Sequence, residues 1–137
     1  MSRGLKNNNP GNIRRGGDTF QFEKLPSTDA AFKQFMNMPS GYRAMFVTLS
    51  TYLTLGHNTI AEIINRWAPD NENDTKAYIK TVVKLSGIKA DKELKHSDGE
   101  EIKQIVAAMS QVENGVPAVM RDVDDGFRMQ KRIWIKP

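Results

Sequence analysis

Through residues 39–115 apolar side chains recur three and four positions apart, in four runs broken at Gly56, Pro69, Gly87 and Gly115. That spacing puts one apolar stripe on each of four amphipathic helices, and it dictates a mainly α-helical core. The first run, PSGYRAMFVTLSTYLTLG, aligns Tyr42, Met45, Phe46, Leu49 and Leu53 and ends at Gly56. The second, NTIAEIINRWAP, opens with the capping-box pattern Thr59-x-x-Glu62, carries Ile60, Ile63, Ile64 and Trp67, and stops before Pro69. NDTKAYIKTVVKLSG carries Tyr78, Val82 and Leu85 and closes at Gly87. SDGEEIKQIVAAMSQVENG begins with a second capping box, Ser97-x-x-Glu100. A shorter helix is expected from Pro117 to Gly126, and the tail RMQKRIWIKP is compatible with a short strand.

Ahead of the helices, TFQFEKL (19–25) alternates apolar and polar residues, and AAFKQF (30–35) follows a turn-forming Pro-Ser-Thr-Asp. These two segments are expected to pair as a small β-hairpin near the N-terminus. At 137 residues, with no internal repeat and no linker-like tract, the chain reads as one α+β domain over residues 1–137.

Without cysteine there is no disulfide, thiolate metal site or cysteine nucleophile. The two histidines, His57 and His96, lack any paired ligand spacing, which argues against a zinc peptidase and a Ser-His-Asp hydrolase. RRGGD lacks the ending of a phosphate-binding loop, and no cofactor or metal is expected. The formal charge of +4 favours an acidic partner. Nucleic acid is disfavoured, because aromatic and basic residues are not interleaved as on a stacking platform. No segment is apolar enough to insert in a membrane, and no Sec-type leader is visible in MSRGLKNNN.

Two features point toward chemistry. RGLKNNNPGNIRRGG (3–17) concentrates Asn7, Asn8, Asn9 and Asn12 in a loop, where the amides serve either the chain's own turns or a ligand. The other is a carboxylate in an apolar position. On the 97–114 helix, Ile105, Val106, Met109 and Val112 cluster around Ile102, and Glu113 falls about 20° from Ile102 at 100° per residue. A carboxyl in such a place is either a helix-end residue that turns outward or a candidate general acid. Glu72, in APDNENDT, is either a helix-start residue or part of a site. Trp67, Tyr42 and Phe46 lie on apolar stripes and read as core.

GLKNNNPGNIRRG, FKQFMNMPSGYRA, INRWAPDNENDTKAYIKTV and VENG, in that order, resemble a family of phage-borne and bacterial peptidoglycan-lytic proteins with an NNPGNIR signature. The family resembles lysozyme-type lytic transglycosylases, so the resemblance implies a lysozyme-like helical domain. VENG is similar to the Glu-Ser-Gly helix end that carries the acid in goose-type enzymes, and ENDTKAYI is similar to their Glu-Thr-Arg-x-Tyr-Val segment. The motif order differs as it would after a circular permutation. The serine after the acid is replaced by Asn114, and the Met-Gln of the family's Gly-Leu-Met-Gln loop is absent.

The resemblance implies an enzyme, endolysin-like, that cuts the bond between N-acetylmuramic acid (MurNAc) and N-acetylglucosamine (GlcNAc), with Glu113 as its single catalytic acid and base. Asn8, Asn9, Asn12, Arg14, Tyr78, Glu72 and Arg43 are the candidate substrate-binding residues. Arg43 reads equally as a structural pairing residue. The expected partner is the peptidoglycan glycan strand, met by a monomer at the cell wall (the periplasm). Delivery would be in a phage particle or by a non-Sec export route. Alternatives are a hydrolysing muramidase, with Glu72 or Asp74 placing water, and a non-catalytic wall-binding or virion structural protein.

Overall fold

The computed structural model describes residues 1–71 and 73–134. It is mainly helical: α1 (Arg3–Lys6), α2 (Met38–Thr54), α3 (Ile60–Trp67), α4 (Thr75–Ser86), α5 (Gly99–Asn114), α6 (Met120–Arg128) and α7 (Lys131–Trp134). The four expected stripes form one apolar cluster. Tyr42, Met45, Phe46, Leu49, Ile60, Ile63, Ile64, Val82, Ile102, Ile105, Val106 and Met109 are buried there. Leu85, expected on the stripe of α4, lies exposed in the helix's last turn.

The helix starts follow local chemistry. Thr59 caps α3 as its sequence predicts: its hydroxyl accepts from Glu62 N at 3.1 Å and donates to Glu62 Oε1 at 3.0 Å. The second capping box does not form. Helix α5 starts one residue later, after Asp98, whose carboxylate accepts instead from Lys95 N at 2.9 Å. Gly87 and Gly115 end α4 and α5 in the left-handed conformation, with φ of 72° and 75°.

Gly126 is not a stop, because α6 begins at Met120 and runs through it to Arg128. A Cβ there would lie 2.7 Å from Pro39 O and 2.7 Å from Tyr42 Cβ, so glycine is what lets α6 close on α2. The tail turns into α7 up to Trp134, whose ring packs on Phe46, Phe127 and His96.

The N-terminal segments form no sheet among the described residues. Residues 30–36 run between two neighbours and meet each by an isolated antiparallel bridge, Arg14↔Phe32 and Glu23↔Phe35. Phe22 interrupts the expected first strand with a φ of 66°, which an extended strand does not accommodate. Two backbone hydrogen bonds flank each bridge, and a buried ion pair adds to them: Lys33 Nζ lies 3.0 Å from Glu23 Oε1, each side chain 4% exposed, and it also donates to Asp18 O at 2.6 Å. Nearby, Asp29 accepts two bonds from Arg3, one from Asn7 and two from the backbone N–H groups of Ala31 and Phe32.

Candidate active site

Glu113 stands in the last turn of α5, half-buried, where the helix meets the Asn-rich loop. Each of its oxygens has one neutral donor. Asn12 Nδ2 donates to Oε1 at 3.0 Å, and the Tyr78 hydroxyl donates to Oε2 at 2.9 Å. Tyr78 reaches it from α4, which packs along α5. Burial pushes the Tyr78 phenol well above its ordinary pKa, and the charge of Glu113 pushes it further, so the phenol remains a proton donor.

The loop is held to α5 by the next residue. Asn114 Nδ2 donates to Pro10 O at 2.8 Å and to Ser110 O at 2.9 Å, while its Oδ1 accepts from the Ser2 hydroxyl at 2.6 Å. Asn12 sits at φ 50°, a left-handed position that asparagine tolerates, and this turns its amide toward Glu113.

Glu113 borders two cavities. The first, about 340 Å³, has an aromatic wall of Tyr52, Trp67 and Phe32, with Asn12, Arg14, Thr48 and Asn73 around it. The Tyr52 and Trp67 rings meet edge-on with centroids 6.4 Å apart. The second, about 330 Å³, is lined by Asn73, Asp74, Ala77, Tyr78, Thr81 and Val112 besides Glu113. A half-buried carboxyl with fixed donors, bordering space on two sides, can give a proton to a bound ligand and take one back.

The sequence candidates divide. Asn12, Tyr78 and Glu113 meet, and Arg14 lines the first cavity with its guanidinium 5.3 Å from the Phe32 ring centre. Asn8 and Asn9 serve the loop instead. Asn8 Nδ2 donates to Phe35 O, and fully buried Asn9 accepts from Ile13 N while donating to Ile13 O and Lys33 O. Arg43 borders neither cavity; it stands 5.9 Å from the Phe22 ring centre, where burial lowers its pKa. Glu72 lies outside the described residues. Asp74 caps α4 by accepting from Ala77 N at 3.1 Å.

Tyr42 and Phe46 are core residues, as their stripe predicts, and half-buried Trp67 packs against that core while also lining the first cavity. Sequence reasoning passed over Tyr52, Thr48, Phe32 and Asn73. A signal existed for two of them: Tyr52 and Thr48 lie about 60° and 100° from Leu49 on the same side of α2, at the margin of its stripe. Among the described residues, no group of three or more His, Asp or Glu side chains is arranged to hold a metal ion.

No family model matches the sequence. Over 131 residues the chain is 37% identical to Protein P5 of Pseudoalteromonas phage PM2, a match that spans 92% of this chain and 80% of that protein. The chain therefore belongs to the same family as Protein P5 of phage PM2.

Proposed function

We propose that this protein is a lytic transglycosylase that cleaves the MurNAc–GlcNAc bond of peptidoglycan, in a domain of lysozyme-like architecture. The observation that carries the reading is Glu113 itself, a carboxylate bordering both cavities with each oxygen held by a side-chain donor. In this reaction Glu113 gives its proton to the glycosidic oxygen as the C1–O bond breaks. The sugar's own acetamide carbonyl stabilises C1. Glu113 then takes the proton of the muramic 6-OH as that oxygen bonds to C1, which yields the 1,6-anhydro end.

The aromatic wall of Tyr52, Trp67 and Phe32 suits the apolar faces of sugar rings, and Asn12, Asn73 and Thr81 supply mixed donors and acceptors. The phage origin of the relative suits a wall-degrading protein carried by a virion or lysis cassette. The partner is the glycan strand at the cell wall, bound by a monomer.

A second reading rests on Asp74, which lines the second cavity with Glu113: a water activated there would make the enzyme a hydrolysing muramidase. Digestion of purified peptidoglycan by wild type and Glu113→Gln, followed by mass spectrometry, separates these. Anhydromuropeptides from wild type alone support the transglycosylase. Reducing ends support the muramidase. No release by either protein, under conditions where a control enzyme works, leaves a wall-binding or virion structural module.

A further inference from the structure

We propose that Asn73 binds the acetamide of the muramic acid sugar undergoing cleavage, an inference that rests on the lytic reading above. Among the described residues, Asn73 and Glu113 are the two that line both cavities. A strand occupying both cavities therefore meets both of these side chains, which puts the Asn73 amide on the same stretch of glycan as the bond presented to Glu113.

The segment that carries Asn73 is built into the site. Asp74 caps α4 immediately after it, and α4 brings Tyr78 to Glu113 Oε2. Buried Thr75 fastens the same helix start to Ala68 O, at 2.5 Å. Asn73 itself is exposed, and its Nδ2 turns back toward Pro69 O at 3.3 Å. That bond is long and exposed, a weak reason for an asparagine, and it leaves Oδ1 as the end of the amide offered to a ligand.

An acceptor at this point matches the N–H of a 2-acetamido group. Holding that N–H turns the acetamide carbonyl oxygen toward C1, where it stabilises the positive charge that develops as Glu113 protonates the leaving oxygen. The interaction strengthens as charge develops, so its loss acts on kcat more than on KM.

The test measures Asn73→Ala and Asn73→Asp against wild type on soluble glycan strands with N-acetylated or de-N-acetylated muramic residues, with thermal midpoints as a control on folding. On acetylated strands Asn73→Ala is expected to lower kcat about tenfold or more at nearly constant KM and midpoint, with Asn73→Asp, which keeps an acceptor oxygen, less impaired. On de-N-acetylated strands wild type and Asn73→Ala should be equally slow. An equal fractional loss on both substrates, or no loss on either, overturns the role of Asn73 and leaves the lytic reading standing. Wild type inactive on acetylated strands overturns the lytic reading, and this inference with it.

Discussion

Tyr78 and Glu113, 35 residues apart in sequence, meet through a hydrogen bond of 2.9 Å that joins the first turn of α4 to the end of α5. The phenol is buried and the carboxylate half-buried, so the bond belongs to the core on one side and to the cleft on the other. Tyr78→Phe should lower muropeptide release about tenfold, a loss of about 1.4 kcal/mol in transition-state stabilisation. The folded protein should lose about 1 kcal/mol by urea denaturation. Unchanged kinetics would remove Tyr78 from the site.

Asn9 and Asn12 should separate stability from activity. Asn9→Ala removes three hydrogen bonds of a buried amide and leaves Ile13 N and Lys33 O without partners, while Ile13 O keeps its bond from Lys33 N; the loss costs about 2–3 kcal/mol. Asn12→Ala should reduce turnover and shift the urea midpoint much less, because its one side-chain donation is to Glu113 at the cleft. The two variants, measured by urea denaturation and by peptidoglycan digestion, should fall on opposite sides of that division.

Asp29 gives the fold an acid limit. Hydrogen bonds from Arg3, then from Asn7 and the Ala31 N–H, hold its carboxyl well below the usual carboxylate range. An unfolded aspartate titrates near pH ~4, so the stabilisation is complete above that pH and is lost as pH falls toward the depressed folded value. Asp29→Asn should be less stable than wild type at neutral pH, with the gap in thermal midpoint closing below about pH 4. A gap that stays constant with pH would show that Asp29 acts by shape alone.

At Gly126 the prediction is steric. Alanine there must displace Pro39 O or Tyr42 Cβ, so α6 must part from α2. Gly126→Ala should cost about 1–3 kcal/mol in urea, whereas Gly16→Ala, with nothing within 4 Å of its Cβ, should not.

The helical core was legible because period 3.6 reports burial directly, as Tyr42 through Val106 show. Glu113 was legible for the same reason: a charge on an apolar stripe stands out. The N-terminal region was not. Alternation around Phe20 and Phe22 reads as a strand, yet pairing there is settled by tertiary groups that no local pattern encodes, the Lys33–Glu23 ion pair and the left-handed Phe22. Asn8, Asn9 and Asn12 are alike in sequence, and only their partners separate two loop-binding amides from one that holds Glu113. Trp67 packs against the core as its stripe implies and lines the first cavity as well, because a stripe gives the direction of a side chain and not how much of it the core covers. Gly126 was read as a terminator because a glycine at a helix stop and a glycine at a helix crossing look identical in one dimension.

The buried pair of Lys33 and Glu23 also limits how this lineage can diverge. Losing either partner alone leaves the other's buried charge without its counter-ion, at a cost of about 3–5 kcal/mol, whereas an apolar pair of matching volume is nearly neutral. The two positions are therefore separated by a fitness valley, which descendants cross by changing both residues together or not at all.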